Sequence, residues 1–208
     1  MYDRETNSLW NTLQGQPVLG PLVGKGIQLE RKPVVTTTWG AWKKKHPKTT
    51  VLSLKTGHRR NYDEGAAYHD YFATDAVMFT VPSFDPRIKQ NKAQVLSFMI
   101  APPLQKPEPV AVSVEYLTQN PIAHHDINGV SVVILTDESG ANRAYAAGDL
   151  KFTAYDRANT ATDEAGNKWT LHEDALRRDG ADARDRLPAN RAFWFGWSNA
   201  FPGAALIQ

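Results

Sequence analysis

The chain has 208 residues, 41% of them hydrophobic and 22% charged, which is an ordinary composition for a globular protein with a buried core. It contains no cysteine, so disulfides, thiolate metal sites and cysteine nucleophiles are excluded. The net charge is +2, no apolar run predicts a transmembrane segment, and "MYDRETNSLW" at the N-terminus lacks the features of a signal peptide.

The small net charge conceals an asymmetry along the chain. Residues 1–60 hold 11 Lys and Arg against 3 Asp and Glu, whereas the remaining residues hold 13 against 19. We interpret this as two unlike solvated faces, and the alternative is steering of an anionic partner. Nucleic acid is a partner that we set aside, because the lysines at 43–45 accompany no recognised nucleic-acid motif.

The first third of the chain predicts short strands around one short helix. Glycine and proline are too dense in "QGQPVLGPLVGKG" for a helix, and "GIQLERKPVV" after it predicts a strand. Thr38 is a good N-cap for a helix that starts at Trp39, and Pro47 would end it. "TTVLSL" then has the β-branched composition of a strand.

The rest of the chain predicts mainly strands. "AQVLSFMI" predicts a buried strand, "APPLQKPEPV" an extended connector, and "VAVSVEYL" an alternating strand. "GVSVVIL", "RAYAAG" and "LKFTAYD" predict a meander with a turn at "DESGAN". "LHEDALRRDGADARDRL" predicts a second helical region that stops at Gly180.

An internal repeat relates the two ends of the chain. "RKPVVTTTWGAWKKKHPKTTVL" aligns without a gap on "RLPANRAFWFGWSNAFPGAALI", at a separation of 155 residues. The coinciding pairs are Pro33 and Pro188, Trp39 and Trp194, Trp42 and Trp197, and Pro47 and Pro202. Upstream, Trp10 in "ETNSLW" corresponds to Trp169 in "EAGNKW". The lysines are not repeated, so we predict that the tryptophans pack in the core and that the proline ends each helix.

These patterns predict an α+β fold that is mostly β. Two related β-rich units would each carry a short Trp-bearing helix packed on antiparallel sheet. The first unit would span residues 1–95 and be incomplete at its N-terminus. The second would span residues 96–208, with the Pro-rich stretch as an insertion, and the two could share one core.

Several stretches together resemble the domain of unknown function 3179 family of bacterial proteins. The matching text is "YDRETNSLW", "GPLVG", "TTWGAWKKKHPKTTVLS", "TGHRRNY" followed by "YHDYF", then "FDPRI" and "FWFGW". The similarity covers nearly the whole chain and is weakest over residues 95–160. The family name records that no activity comes with the resemblance.

The resemblance also carries expectations about location and about a missing segment. Family members usually have an earlier segment with a Cys-Pro-x-Cys-Gly signature, which this chain lacks, so the chain resembles the C-terminal part of a member. Thr136 and Ser139 would stand where the first copy has cysteines. Because many members are exported, the resemblance implies an extracytoplasmic location, in the periplasm or at the cell surface.

One candidate site is a metal site in "NPIAHHDINGV". His124, His125 and Asp126 offer two imidazoles and a carboxylate, which suit zinc, copper or nickel. Adjacent strand residues point to opposite faces, so only His124 and Asp126 would share one. The alternative is a polar turn before the next strand.

A second candidate site lies in "TGHRRNYDEGAAYHDYF". Arginine and tyrosine side chains together suit an anion or sugar pocket, and they equally suit a structural loop. The candidate residues are Arg59, Arg60, Tyr62, Tyr68 and Tyr71.

Three functional hypotheses follow, none with an assigned activity. The first is a non-catalytic extracytoplasmic binding or assembly module, whose partner would be another protein or the missing N-terminal segment. The second is a metal-binding protein or metalloenzyme that uses His124 and Asp126, with a divalent metal as cofactor. The third is a carbohydrate or anion binder that uses Arg59, Arg60 and the tyrosines. We favour a non-enzymatic role because no Gly-x-Ser-x-Gly elbow, phosphate loop or flavin signature is present.

Overall fold

The computed structural model describes residues 1–101 and 104–208, so part of the Pro-rich connector, at residues 102–103, lies outside the described residues. The described helices are α1 (Trp39–Lys45), α2 (His69–Ala73), α3 (Val114–Gln119) and α4 (Trp194–Ala200). The described strands are β1 (Tyr2–Asp3), β2 (Ser8–Asn11), β3 (Gln16–Leu19), β4 (Gln94–Ile100), β5 (Glu108–Ser113), β6 (Ile122–Ile127), β7 (Val130–Thr136), β8 (Asn142–Ala146), β9 (Phe152–Tyr155), β10 (Thr160–Asp163), β11 (Lys168–Leu171), β12 (Ala175–Arg177), β13 (Arg184–Asp185), β14 (Asn190–Phe193) and β15 (Ala205–Ile207). The predicted mostly β, α+β class with short Trp-bearing helices is confirmed.

The strands form four sheets. Their orders are β1-β2-β3, β6-β7-β8, β13-β12-β11-β10-β9 and β14-β4-β5-β15. Neighbouring strands are antiparallel except in the last sheet, where β15 runs parallel to β5. The predicted meander is confirmed for β7 and β8, which pair directly, and is wrong for β9, which pairs with β10 in another sheet.

The sheet β14-β4-β5-β15 supports α4. The strand before the helix, β14, pairs antiparallel with β4, and the strand after it, β15, pairs parallel with β5. The central strands, β4 and β5, therefore form a two-stranded ribbon, which we call the β4–β5 ribbon. Its two edges are paired with the strands that flank α4. The side chains of Val95 and Ala111 from this ribbon pack in one cluster with Trp194 and Trp197.

Two further hydrophobic clusters complete the core. One joins β4 and β5 to α3 and to one face of β6 and β7, with Phe98 and Ile134 at its centre. The other joins the opposite face of β7 to the five-stranded sheet, around Tyr145 and Trp169. Leu13, from the first predicted unit, packs in the α4 cluster of the second. The division at residue 95 stays a prediction.

Helices α1 and α4 have nearly the same local geometry. Each has seven residues, begins at a tryptophan and ends two residues before a proline. At the C-terminal end, the His46 N–H donates to the Trp42 carbonyl over 2.8 Å, and the Phe201 N–H donates to the Trp197 carbonyl over 2.9 Å. The ring of the capping residue lies against the indole in both helices, with centroids 4.0 Å and 4.4 Å apart.

The burial of the two helices differs sharply. Trp194 and Trp197 are each 1% exposed, whereas Trp39 is 51% and Trp42 is 37% exposed. The core prediction is therefore confirmed for Trp194 and Trp197, and also for Trp10 and Trp169. It is wrong for the two tryptophans of α1, because no sheet in the described part of the chain underlies that helix as β4 and β5 underlie α4.

Four other predictions of secondary structure are wrong in whole or in part. "GIQLERKPVV" and "TTVLSL" are not assigned to strands. The first makes only isolated backbone hydrogen bonds to other segments, from Leu29 to the Gly15 carbonyl and from Val34 to the Ala189 carbonyl, and these do not form a ladder. The charged stretch predicted to be helical contains β12 and β13, which pair within the five-stranded sheet. "VAVSVEYL" divides at Ser113, whose hydroxyl accepts a hydrogen bond from the Tyr116 N–H and begins α3. Within the described ranges, none of the helices is both long and apolar enough to cross a membrane.

Corresponding tryptophans should contribute unequally to stability. Replacing Trp194 with alanine should lower the free energy of unfolding by about 3–5 kcal/mol, because it empties a fully packed position. Replacing Trp39 should lower it by less than about 1 kcal/mol, because half of its surface is already hydrated. Urea denaturation of both variants measures the difference, and equal losses would contradict the burial pattern.

Candidate functional site

The proposed metal ligands each have a separate local role. The Nε2 atom of His124 accepts a hydrogen bond from the Phe152 N–H over 2.9 Å, which ties β6 to β9. His125 lies beside the ring of Tyr116, with centroids 5.7 Å apart, and the Asp126 carboxylate accepts from the Gly129 N–H over 2.9 Å. Among residues 1–101 and 104–208, no three His, Asp or Glu side chains converge to hold a metal ion. The geometry lends the metal hypothesis no support, and it stays a prediction.

The proposed arginine and tyrosine site is spread over an exposed segment. The Tyr62 hydroxyl lies 2.8 Å from that of Thr56, and Tyr71 lies under the Lys92 ammonium, 3.9 Å from the ring centre. A shallow pocket beside α2 is lined by residues that include Tyr68 and Tyr71 but neither Arg59 nor Arg60. The structure therefore does not bring the arginines and these tyrosines together there, and this ligand hypothesis also stays a prediction.

A different set of residues forms a polar cleft of about 620 Å³ at the C-terminal end of α1. Three turns close it from the other side: the β7–β8 turn, the β9–β10 turn and the β11–β12 turn. We call this space the polar cleft. It is lined by Ala41, Lys44, Lys45, His46, Asp137, Glu138, Ser139, Arg143, Arg157, Ala158, Asn159, Leu171, His172 and Glu173.

The β7–β8 turn is organised by one carboxylate. Asp137 Oδ1 accepts hydrogen bonds from the Ser139 N–H over 2.9 Å, the Ser139 hydroxyl over 2.6 Å and the Ala141 N–H over 3.1 Å. Gly140, with φ of 79°, supplies the left-handed position that the turn requires. The Ser139 hydroxyl also lies 2.9 Å from that of Thr37, which joins the turn to the segment before α1.

A chain of ion pairs forms the floor of the polar cleft. Arg143, which is 5% exposed, donates to Asp137 and to Glu173, each over 3.0 Å. The second Glu173 oxygen accepts from Arg186 over 2.6 Å. Two carboxylates and two guanidinium groups thus neutralise one another, which a buried charge requires.

Both carboxylates stay ionised near neutral pH. Burial opposes the charge on Asp137, but the hydrogen bonds from Ser139, Arg143 and Ala141 outweigh it, so the pKa of Asp137 lies below its ordinary value. The pKa of Glu173 is likewise lowered, because hydrogen bonds and charge from Arg143 and Arg186 outweigh its burial. Neither group is therefore poised to exchange a proton near pH 7.

The remaining charge in the polar cleft is mostly positive. Lys45 Nζ lies 3.7 Å from the already paired Asp137. In the described part of the chain, Lys44 has no acidic partner within salt-bridge distance. Arg157 donates only a long 3.4 Å hydrogen bond to the Asp137 carbonyl, and its Nε atom is buried without a partner among the described residues. Two cationic side chains therefore face the cleft with unused donors.

Another groove in the described structure, of about 590 Å³, runs between residues 88–94 and the start of α3. Only Lys89 and Glu115 contribute charge to it, and it holds no comparable set of buried polar groups. The polar cleft is accordingly the better candidate for a functional site.

Sequence reasoning missed most of the polar cleft. Glu173 falls in the stretch that was predicted to be helical, whereas it lies in a turn and pairs with two arginines. Arg143 and Arg157 received no role, although Arg143 directly follows the "DESGAN" turn and Arg157 donates to the Asp137 carbonyl in it. That turn was a usable signal. An aspartate in a turn typically accepts hydrogen bonds from residues a few positions later, as Asp137 does from Ser139 and from the Ala141 N–H.

The lowered pKa of His124 should appear as pH-dependent stability. Burial lowers the pKa of His124, which accepts the Phe152 N–H only when Nε2 is unprotonated. The unfolded chain then binds more protons than the folded one, so the stability contribution is complete above about pH 6.5 and is lost as pH falls below it. We expect His124→Gln to flatten the dependence of unfolding free energy on pH between 7 and 5. The exposed His69→Gln control should retain the wild-type slope, and an unchanged slope in His124→Gln would contradict the assignment.

The ion-pair chain should be essential to the fold. Replacing Arg143 with alanine leaves two carboxylates without their buried partner and should cost about 3–5 kcal/mol of unfolding free energy. As a control, Arg177→Ala removes an exposed ion pair with Asp174 and should cost less than about 1 kcal/mol. Chemical denaturation at pH 7 compares the two variants. Similar losses would show that the network is only a surface feature.

Comparisons with known proteins give a family but no activity. The family described as "Protein of unknown function (DUF3179)" matches residues 1–204, which is almost the whole chain. No curated protein matches the chain, and no solved structure matches it either. The sequence resemblance is therefore confirmed, and the chain belongs to the DUF3179 family of proteins of unknown function.

Proposed function

We propose that this protein is a non-catalytic binding module that holds a small anionic ligand in the polar cleft. The observation that carries the proposal is the pair of cations without acidic partners, Lys44 and Arg157, beside a floor whose charges already neutralise one another. An anion entering the cleft would meet positive charge from Lys44 and Arg157 above a floor whose charges are paired. The lining carboxylate without an ion pair among the described residues is the exposed Glu138, at the rim.

The unused donor on Arg157 supports an oxyanion in particular. Apart from the 3.4 Å hydrogen bond from Nη2 to the Asp137 carbonyl, the terminal nitrogens of Arg157 have no acceptor among the described residues, and a bound ligand can provide one. Guanidinium groups pair with carboxylates, phosphates and sulfates through two parallel hydrogen bonds, whereas lysine acts as a point charge. Arg157 would thus orient the ligand, and Lys44 would add attraction from α1.

Binding is favoured over catalysis by the state of the acidic groups. Asp137 and Glu173 are held ionised by arginine and by hydrogen bonds, and all four of their oxygens accept or approach a donor. A general acid or base needs a pKa near the working pH and access to the ligand. Both carboxylates are better suited to fixing the shape of the cleft.

An extracytoplasmic location is part of the same proposal, and it rests on the family resemblance alone. Fractionation of cells that express the complete gene product tests it. Recovery in the periplasm or at the cell surface would support the proposal, and recovery only with cytoplasmic markers would oppose it.

Calorimetric titration with phosphate, sulfate and citrate tests the ligand class. We expect saturable binding of at least one anion, weakened at least about tenfold in Lys44→Ala and in Arg157→Ala, because each variant removes a charge-assisted contact. Lys43→Ala is the matched control, since Lys43 is the next residue of α1 and does not line the cleft. Equal affinity in all variants, or no binding of any anion by the folded protein, would overturn the proposal.

A further inference from the structure

A second groove adjoins the polar cleft on the five-stranded sheet. It has a volume of about 540 Å³ and is built on β11, β12 and the residues after β12. His172, in the β11–β12 turn, lines both spaces, so the two meet at this side chain. We call the second space the β11 groove. Its polar and charged lining residues are Lys168, Thr170, His172, Arg177, Arg178 and Asp179.

The alternation of β11 explains why its polar side chains face the β11 groove. Trp169 is buried in the core, whereas Lys168 and Thr170, on either side of it, are exposed. Arg177 is the cross-strand partner of Thr170 and therefore lies on the same face of the sheet. Because a strand rises about 3.3 Å per residue, the row from Lys168 to His172 is about 13 Å long.

The β11 groove carries positive charge that is only partly paired. Arg177 forms an exposed ion pair with Asp174. Arg178 lies over the Trp169 ring, 5.4 Å from its centre, and its Nε atom is buried without a partner among the described residues. In the same part of the chain, Lys168 has no acidic group within salt-bridge distance. The β11 groove thus resembles the polar cleft in offering one arginine and one lysine without acidic partners.

We propose that the anionic group held in the polar cleft belongs to a linear acidic polysaccharide, whose neighbouring charged sugars lie in the β11 groove. Because one charged sugar lies in the polar cleft, this proposal rests on the function proposed for that cleft. The sugar chain passes His172 and follows β11 toward Lys168. Contact with two anion sites through one chain gives a higher affinity than either site alone, since the second contact is intramolecular.

The uncharged and acidic side chains of the two spaces favour a sugar chain over a polyphosphate. Thr170 and Asn159 offer a hydroxyl and an amide that can hydrogen-bond with sugar hydroxyls. The carboxylates of Asp179 and Glu138 can accept hydrogen bonds from sugar hydroxyls, whereas a polyphosphate has no such donors and would be repelled. An acidic polysaccharide supplies anionic groups for the cations and hydroxyl groups for the carboxylates.

Peptides and nucleic acids fit the β11 groove less well. β11 and β12 are inner strands with partners on both edges, so an acidic peptide finds no free strand edge to pair with there. The indole beneath the groove, that of Trp169, is 1% exposed and cannot stack on a nucleobase. The groove therefore offers side chains alone, and guanidinium groups bind the carboxylates or sulfates of acidic sugars through paired hydrogen bonds.

Calorimetric titration with galacturonate oligomers and with a sulfated heparin hexasaccharide and disaccharide tests the proposal. We expect the hexamer of at least one sugar to bind at least about tenfold more tightly than its dimer. Lys168→Ala should remove most of this difference and leave unchanged the binding of small anions that Lys44→Ala weakens. Lys151→Ala is the matched control, because Lys151 is an exposed lysine directly before β9 and lines neither space.

The outcomes distinguish this proposal from the function proposed for the polar cleft. Equal affinity for hexamer and dimer of both sugars, or a hexamer affinity that either Lys44→Ala or Lys168→Ala leaves unchanged, would overturn the polysaccharide alone. Absence of all small-anion binding would overturn both proposals. Tighter binding of a polyphosphate, a polyglutamate peptide or single-stranded DNA of comparable length would contradict the assignment to a sugar.

Amide resonances provide a second test that needs no variant. The hexamer should shift the resonances of residues 157–159 and 168–170 together and saturate both sets at the same concentration. Shifts confined to one of the two sets would show that the ligand occupies a single space, and would rule out a chain that spans both.

Discussion

The packing of Trp194 and Trp197 against the β4–β5 ribbon is the interaction on which the arrangement of this molecule depends. Two indoles, each 1% exposed, remove a large apolar area from water and fix α4 on the sheet. The flanking strands then become the outer strands of the same sheet, and one of them, β14, leads directly into the helix. The N-terminal segment is attached to the same place, since Leu13 joins the cluster and the Gln14 amide donates to the Ala200 carbonyl over 2.8 Å.

The contrast between α4 and α1 separates what a local sequence pattern determines from what it does not. The threonine cap, the tryptophan spacing and the following proline correctly predicted where α1 begins and ends. They could not predict burial, because burial depends on a sheet that is remote in sequence. The same limit explains the error at β12 and β13, where a charged stretch with helical composition is held extended by its neighbours in the sheet. Strands with their own apolar signal, such as β4 and β7, were predicted correctly.

The polar cleft shows a similar limit for functional residues. Its floor joins Asp137, Arg143 and Glu173, which lie on two different turns and a strand, so only the folded chain brings them together. His124 and His125 had the residue types of a metal site, but the alternation of a strand separates them. Residue type alone was therefore a weaker guide to functional residues than the pairing of each charge in the folded chain. At the cleft, the paired charges maintain structure, and the cations without acidic partners are available to a ligand.

Two helices of the same local geometry differ in their flanking segments: those of α4 are strands paired in a sheet, and those of α1 belong to no strand. Hydrogen–deuterium exchange of the protein without any partner measures this most directly, because backbone amides paired in a sheet exchange slowly and unpaired ones exchange quickly. The account predicts strong protection of amides in residues 190–193 and 205–207, and rapid exchange of those in residues 35–38 and 50–52. Equal protection of the corresponding segments would show that α1 already has its sheet, and it would contradict the account.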